Sequence, residues 1–103
     1  MDNNAYTRGR QEGDLNYKDK KWKNTRERTL RRDGYICREC LRFGKTVEAT
    51  TVHHVKPAAQ NPELKYDSKN LYSCCTNCHN TFHDRSSDEL TDKGLQLVQR
   101  IYK

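Results

Sequence analysis

Apolar residues are sparse along this chain, and their clearest pattern is a helical one near its end. The spacing there predicts a final helix with one apolar face, made of Leu90, Gly94, Leu97, Val98 and Ile101. Just before this stripe, Ser86 and Glu89 have the spacing of a capping box, so we expect them to start the helix. Such a helix would pack its stripe on the rest of the domain.

The beginning of the chain shows no apolar period. We therefore predict a flexible tail over residues 1–15 and a folded domain over residues 16–103. The stretch from Lys18 to Arg32 has neither Gly nor Pro and is rich in Lys and Arg, which predicts a helix. We expect Trp22 to anchor this helix on the core, because large aromatic side chains dominate small cores.

The middle of the chain predicts short elements separated by turns. Thr46 to Val55 is rich in Thr and Val and predicts a strand. Pro57 to Lys69 carries several turn residues and predicts a loop, and Asn70 to Tyr72 predicts a short extended piece. A short helix should follow from Cys75 to about Asp84. These elements predict a small α+β domain.

Composition indicates that the fold needs stabilisation by a metal ion or by disulfides. The chain has 103 residues, and its apolar fraction is 32%, against roughly 45–50% for ordinary globular chains. So small and polar a domain buries little surface, and a metal ion or disulfides would compensate. The chain shows neither a membrane span nor a signal peptide, so we expect a cytoplasmic protein with reduced cysteines. Metal binding is then favoured over disulfides.

The net charge of +6 is concentrated in one segment. Residues 16–32 contain eight Lys and Arg against two acidic residues, and the rest of the chain is balanced. A basic segment beside a compact domain favours a polyanionic partner such as nucleic acid. A solvated helix face would give the same pattern, so charge alone leaves both interpretations open.

Four cysteines form two C-x-x-C pairs, the spacing of a structural zinc site. Cys37, Cys40, Cys75 and Cys78 would satisfy tetrahedral zinc completely and leave no open position. The neighbouring Cys74 could replace Cys75, but the two-residue spacing favours Cys75, and we interpret Cys74 as a small buried apolar residue.

The histidines occur as two pairs in the same part of the chain. His79 and His83 are four residues apart on the predicted short helix, so both would leave one face of it. His53 and His54 are neighbours on the predicted strand and should point to opposite sides. Three neutral imidazoles around a metal leave positions open for water or phosphate, as catalysis requires.

Two other interpretations remain at this stage. The histidines could line a polar surface or assist the zinc site. The protein would then be a non-catalytic treble-clef zinc module that binds DNA. Alternatively, it would be an interaction module that does not bind nucleic acid.

Several motifs taken together resemble the HNH endonuclease family, most closely its small phage-type members with a four-cysteine zinc site. The matching motifs run from the first zinc pair to the histidine after the second: Arg32–Cys37 with Cys40, Val52–Pro57, Lys69–Leu71 and Cys75–His79. The resemblance implies a ββα-metal, treble-clef-like HNH domain with structural zinc, flanked by an N-terminal basic helix and a C-terminal helix.

The resemblance also implies roles for single residues. His54 matches the general base that takes a proton from the attacking water, and Asn70 matches the central asparagine that orients the loop and the base. His53 stands where many members have an Asp metal ligand, and His79 matches a second ligand. His83 is similar to the third histidine ligand of the colicin nucleases, which phage-type members usually lack.

The implied activity is metal-dependent hydrolysis of DNA phosphodiester bonds, as a nick or a double-strand cut. The cofactors would be structural Zn²⁺ and one catalytic Mg²⁺, Mn²⁺, Ni²⁺ or Zn²⁺. The partners would be double-stranded DNA and, for a phage-encoded monomer in a bacterial host, terminase subunits of the packaging machinery. Basic residues would hold the DNA backbone, namely Lys18, Lys20, Lys21, Lys23, Arg26, Arg28, Arg31, Arg38 and Arg42.

Overall fold

The chain folds around a two-stranded antiparallel sheet with helices on both faces. A computed structural model describes residues 13–84, 86–87 and 89–102. The elements in chain order are helix α1 (Gly13–Arg32), helix α2 (Arg38–Arg42), strand β1 (Thr51–His54), strand β2 (Leu71–Cys74), helix α3 (Thr76–Phe82) and helix α4 (Asp92–Tyr102). Two short 3-10 turns, Pro62–Leu64 and Ser68–Asn70, lie between the strands. The predicted small α+β class is confirmed.

Helix α1 is longer than the sequence predicts. Its described part covers Gly13–Arg32 and so includes residues before the predicted start at Lys18, inside the predicted tail. The rest of that tail, residues 1–12, lies outside the described part of the chain. The helix ends at Arg32 as expected, because Gly34 adopts a φ of +63°, a left-handed conformation that stops a helix. None of the described helices is long and apolar enough to cross a membrane.

Strand β1 is shorter than predicted. It covers Thr51–His54 rather than Thr46 to Val55. The residues before it pair with another partner, since the amide of Cys37 donates to the carbonyl of Val47 at 2.8 Å. The first half of the predicted strand therefore does not extend the sheet. It pairs with the residues just before α2.

The register of the sheet sends the two neighbouring histidines to opposite faces. His53 lies opposite Tyr72 of β2, and His54 lies opposite Leu71. Since side chains alternate along a strand, His53 faces one side of the sheet and His54 the other. This agrees with the prediction from sequence.

Each face of the sheet carries its own apolar cluster. The cluster beneath α1 consists of Leu30, Ala49, Val52 and Leu71, with Trp22 packed against it. The cluster on the opposite face consists of Cys37, Val55, Tyr72, Cys74, Phe82 and Leu97. Strand β2 is buried at all four residues because both faces are covered. Trp22 anchors α1 as expected, although its side chain is only half-buried.

Helix α4 starts later than the capping prediction. It begins at Asp92, and the hydroxyl of Thr91 accepts an amide hydrogen bond from its first turn. The predicted capping box of Ser86 and Glu89 is wrong. The Ser86 hydroxyl donates instead to the carboxylate of Asp84 at 2.7 Å, which closes a local turn.

Candidate metal centres and active site

The four predicted cysteine ligands converge on one point. The sulfur atoms of Cys37, Cys40, Cys75 and Cys78 all lie within 4.8 Å of one another. The Cys40 sulfur is 3.7 Å from that of Cys78 and 3.9 Å from that of Cys75. Four sulfurs bound tetrahedrally to one zinc at about 2.3 Å would lie about 3.8 Å apart. The cluster therefore has the size and donor set of a structural zinc site.

The C-x-x-C spacing shapes both halves of this cluster. The first cysteine of each pair caps a short helix, so the amide of the second cysteine points back at its sulfur. The Cys40 amide donates to the Cys37 sulfur at 3.3 Å, and the Cys78 amide donates to the Cys75 sulfur at 3.5 Å. Such donors stabilise thiolates. Cys74 instead lies fully buried in the apolar core, where burial raises the pKa of its thiol. It is the small apolar residue that the sequence predicts.

Three histidines form a second cluster. Nitrogen atoms of His53, His79 and His83 lie within 4.8 Å of one another. The route by which His83 arrives differs from the prediction, because α3 ends at Phe82. His83 is the extended residue after the helix and forms a bridge with Leu90. His83 therefore reaches the cluster from the extended segment after α3. The prediction that His79 and His83 leave one face of the same helix is wrong.

The environment of His53 tests whether this cluster fits a metal ion. Its side chain is fully buried, it stacks on Phe82 at 4.8 Å, and neither ring nitrogen has a hydrogen-bond partner among the described residues. Burial, reinforced by the neighbouring His83, His79 and His54, lowers the pKa of His53 to about 3. Its imidazole is therefore neutral, the form that binds metals. A buried polar group without a partner is costly, and a bound ion would supply that partner.

His54 is held on the opposite face of the sheet. Its Nε2 lies 3.0 Å from the carbonyl oxygen of Lys65, and its ring stacks on Trp22 with centroids 4.9 Å apart. A carbonyl only accepts hydrogen bonds, so Nε2 carries the proton and Nδ1 keeps its lone pair. Burial lowers the pKa of His54 and outweighs the hydrogen bond to Lys65, which raises it. His54 is thus a neutral base at neutral pH.

Asn70 ties together the loop that holds His54. Its side chain is fully buried, accepting from the amide of Lys56 at 2.9 Å and donating to the Lys56 carbonyl at 3.0 Å. Its amide group also approaches the carbonyl of Leu64 at 3.4 Å, next to the residue that accepts from His54. The predicted orienting position of Asn70 agrees with these contacts.

A cavity of about 500 Å³ opens beside the histidines. The candidate ligands on the α3 side and the base histidine contribute to its wall, which is lined by Val52, His54, Pro57, Ala58, Ala59, His79, Asn80 and His83. One opening therefore gives access to the base and to two candidate ligands.

The predicted DNA-binding residues divide into two groups. Exposed side chains are those of Lys20, Lys21, Lys23, Arg28, Arg31 and Arg42. Half-buried Arg26 donates to the carbonyl of Thr50 at 2.6 Å, and Arg38 lies 4.7 Å from the ring of Tyr72. Both therefore contact protein groups, and so do two of the exposed residues, Lys21 at the ring of Tyr66 and Arg42 at the carboxylate of Glu39. The side chain of Lys18 lies outside the described part of the chain.

Two contacts near the site were not predicted. The hydroxyl of Tyr102 in α4 donates to Oδ1 of Asn70 at 2.8 Å. Buried Glu39 accepts from Tyr72 at 3.0 Å and from Arg100 at 2.9 Å, which joins α2 to the sheet and to α4. Both link residues more than 30 positions apart, so no sequence spacing points to them. The only signal is that Tyr102 continues the apolar stripe of the last helix.

Comparisons with known proteins agree with this geometry. A family model of the HNH endonuclease matches residues 37–85. Among solved structures, the chain is similar to the HNH endonuclease of the deep-sea thermophilic bacteriophage GVE2, crystallised with manganese ion. The two share 27% sequence identity with a TM-score of 0.61, over 88% of this chain and 86% of the other. No curated protein matches the chain.

These findings identify the protein class. Residues 37–85 form an HNH endonuclease domain, which contains both metal clusters and the candidate base. The chain therefore contains an HNH endonuclease domain, and the two matches support an enzyme that hydrolyses DNA.

Proposed function

We propose that the enzyme cuts DNA with one catalytic divalent ion held by His53, His79 and His83, and with His54 as the general base. The buried His53 imidazole carries this proposal, because both of its nitrogens lack partners among the described residues while two other imidazoles lie beside it. A non-catalytic zinc module would need only the four cysteines. It gives no reason to bury an imidazole without hydrogen bonds.

The residues of the chain divide the work of hydrolysis. His54 accepts a proton from the attacking water through Nδ1, since its Nε2 is engaged by the Lys65 carbonyl. Asn70 keeps that carbonyl in place by fixing the backbone at Lys56 and Leu64. The ion held by three imidazoles would supply Lewis-acid stabilisation of the charge that develops on the phosphate. Exposed basic side chains of α1 would hold the DNA backbone.

The two clusters offer different donor sets to a metal ion. Four thiolates form a closed site and suit structural zinc. Three imidazoles with open positions accept several divalent ions, so Mg²⁺, Mn²⁺, Ni²⁺ and Zn²⁺ are all candidates. The similar bacteriophage GVE2 enzyme was crystallised with manganese, and we propose Mn²⁺ as the first ion to test here.

Plasmid cleavage in a panel of these four ions tests the proposal. Wild-type protein should nick or linearise supercoiled plasmid with at least one ion. His79→Ala should lose both cleavage and Mn²⁺ binding by calorimetry, whereas His54→Ala should lose cleavage and keep Mn²⁺ binding. Retained structural zinc and unchanged circular dichroism serve as the folding control. Cleavage by folded His54→Ala at the wild-type rate would overturn the proposal.

Four wider predictions rest on the sequence resemblance. We propose double-stranded DNA as the substrate, a monomeric enzyme, and action in the cytoplasm of a bacterial host. We also propose partnership with phage terminase subunits during DNA packaging. Co-purification with a terminase subunit and a change in cleavage rate on its addition would support the partnership. No complex and no rate change would exclude it.

A further inference from the structure

Helix α1 precedes the HNH segment of residues 37–85, yet it contacts the candidate base. The indole of Trp22 stacks on the imidazole of His54, with ring centroids 4.9 Å apart and planes 25° from parallel. Trp22 also packs against the apolar cluster beneath α1. The indole is therefore fixed by the core and in turn covers one face of the base.

The remaining freedom of His54 is limited by the loop that follows β1. The Lys65 carbonyl holds the Nε2 edge of the ring at 3.0 Å, while Trp22 holds its face. Helix α1 also reaches this loop directly, because the Lys21 ammonium lies 4.2 Å from the ring centre of Tyr66, the residue after Lys65. Two neighbouring residues of α1 thus contact the base and the segment that orients it.

We propose that Trp22 is a positioning residue for DNA hydrolysis, acting by holding the His54 imidazole in its reactive orientation. The inference rests on the proposed role of His54 as the general base. Its consequence is that the HNH segment needs α1 to complete its active site. Small displacements of a reacting group lower the rate steeply, and a misplacement of about 1 Å can cost about 100-fold.

Three variants of the full-length protein separate positioning from packing. Trp22→Leu keeps apolar volume but removes the aromatic face, and Trp22→Phe restores a smaller ring. Leu30→Val is the matched control, because Leu30 lies in the same apolar cluster beneath α1. We expect Trp22→Leu to lower kcat by about 10-fold or more with little change in KM, since positioning acts on the reacting complex. Trp22→Phe should recover most of that loss, and Leu30→Val should stay near wild type.

A spectroscopic readout follows the imidazole itself. Long-range ¹H–¹⁵N spectra report which ring nitrogen of a histidine carries the proton. His54 should show a single Nε2–H tautomer in wild type and Trp22→Phe, and averaged or broadened signals in Trp22→Leu. If Trp22→Leu does not fold, Trp22→Met replaces it, with the same expectations for kcat and for the spectrum.

The outcomes distinguish this inference from the function on which it rests. Wild-type kcat together with an unchanged His54 spectrum in the folded Leu or Met variant overturns the role of Trp22. So does a decrease in kcat no larger than that of Leu30→Val. If a Trp22 variant gives either of these results while His54→Ala is inactive in the same assay, the proposed function stands and only the role of Trp22 fails. If His54→Ala cuts like wild type, both fail.

Discussion

The hydroxyl of Tyr102 donates to Oδ1 of Asn70 at 2.8 Å, which joins the last helix to the central asparagine of the HNH motif. The same oxygen accepts from the amide of Lys56, so Asn70 is held from the helix and from the loop. Together with the contact of Trp22 on His54, this bond shows that both flanking helices touch the candidate catalytic residues. The domain therefore places its site with elements from nearly its whole described length.

Removing the Tyr102 hydroxyl should weaken the domain modestly. Tyr102→Phe removes one hydrogen bond and should lower the free energy of unfolding by about 1 kcal/mol. Asn70→Ala should cost more, because it removes both hydrogen bonds from the part-buried backbone of Lys56, and an unpaired buried group costs roughly 1–3 kcal/mol. Urea denaturation of the two variants and wild type measures both effects. Equal losses of unfolding free energy in the two variants would contradict the prediction that Asn70 contributes more to stability than the Tyr102 hydroxyl.

The cysteine cluster should carry much of the stability of this polar domain. Cys75→Ser should fail to retain zinc and unfold at room temperature, since a structural zinc site supplies on the order of 10 kcal/mol of folding free energy. Cys74→Ala is the matched control, because Cys74 lies in the core outside the cluster. Zinc content and thermal unfolding by circular dichroism measure the outcome. Zinc retention by Cys75→Ser, with zinc absent from Cys74→Ala, would reverse the ligand assignment.

Gly94 allows α4 to approach α3 closely. A Cβ at Gly94 would clash with the Phe82 carbonyl oxygen, which is backbone and cannot move alone. Gly94→Ala should therefore destabilise the domain by roughly 1–3 kcal/mol, although alanine is the better helix former. Exposed Gln96→Ala on the same helix is the control and should be nearly neutral. Urea denaturation decides, and a stabilised Gly94→Ala protein would refute the close approach.

Weaker Mn²⁺ binding should accompany that destabilisation. The residue after Phe82 is the candidate ligand His83, so displacing the end of α3 also displaces a ligand. Calorimetric titration of Gly94→Ala and Gln96→Ala with Mn²⁺ compares the two. Equal Mn²⁺ affinities of the two variants would contradict this prediction, because they would show that the packing of α4 on α3 does not affect the metal site.

Residues whose roles depend on spacing could be predicted from the sequence. The two C-x-x-C pairs, the alternation of His53 and His54, and the end of α1 before Gly34 all follow from local rules. Each rule needs only a few neighbouring residues. The convergence of the four cysteines and the two-sided placement of His53 and His54 were therefore predicted, although the bounds of their elements were not.

Features that depend on tertiary competition could not be predicted in this way. Val47 pairs with Cys37 instead of extending β1, and Ser86 bonds Asp84 instead of capping α4. His83 joins its cluster from beyond the helix, and Trp22 reaches His54 across the sheet face. At Val47, Ser86 and His83 a long-range partner or a local turn replaced the interaction that the pattern favoured, whereas the His54 contact of Trp22 adds to its predicted packing on the core.

Exposed lysines of α1 should set the salt dependence of DNA binding. Replacing Lys20 and Lys23 together with Gln should reduce the slope of log K against log salt by about 0.9 for each DNA phosphate that the protein no longer neutralises. Lys45 and Lys93 are also exposed, lie outside the predicted binding set, and provide a control of equal charge change. Fluorescence anisotropy on duplex DNA at several salt concentrations yields the slopes. Equal slopes for both double variants would remove α1 from the DNA interface.

The central claim is that an imidazole cluster holds the catalytic ion while His54 alone serves as the base. Single-turnover plasmid cleavage by Mn²⁺-loaded wild type and His54→Ala tests it most directly, with Mn²⁺ occupancy measured in the same samples. We predict equal Mn²⁺ occupancy and a cleavage rate lower by roughly 10²–10⁴-fold in His54→Ala, the usual contribution of a general base. Wild-type cleavage by fully loaded, folded His54→Ala would contradict the account.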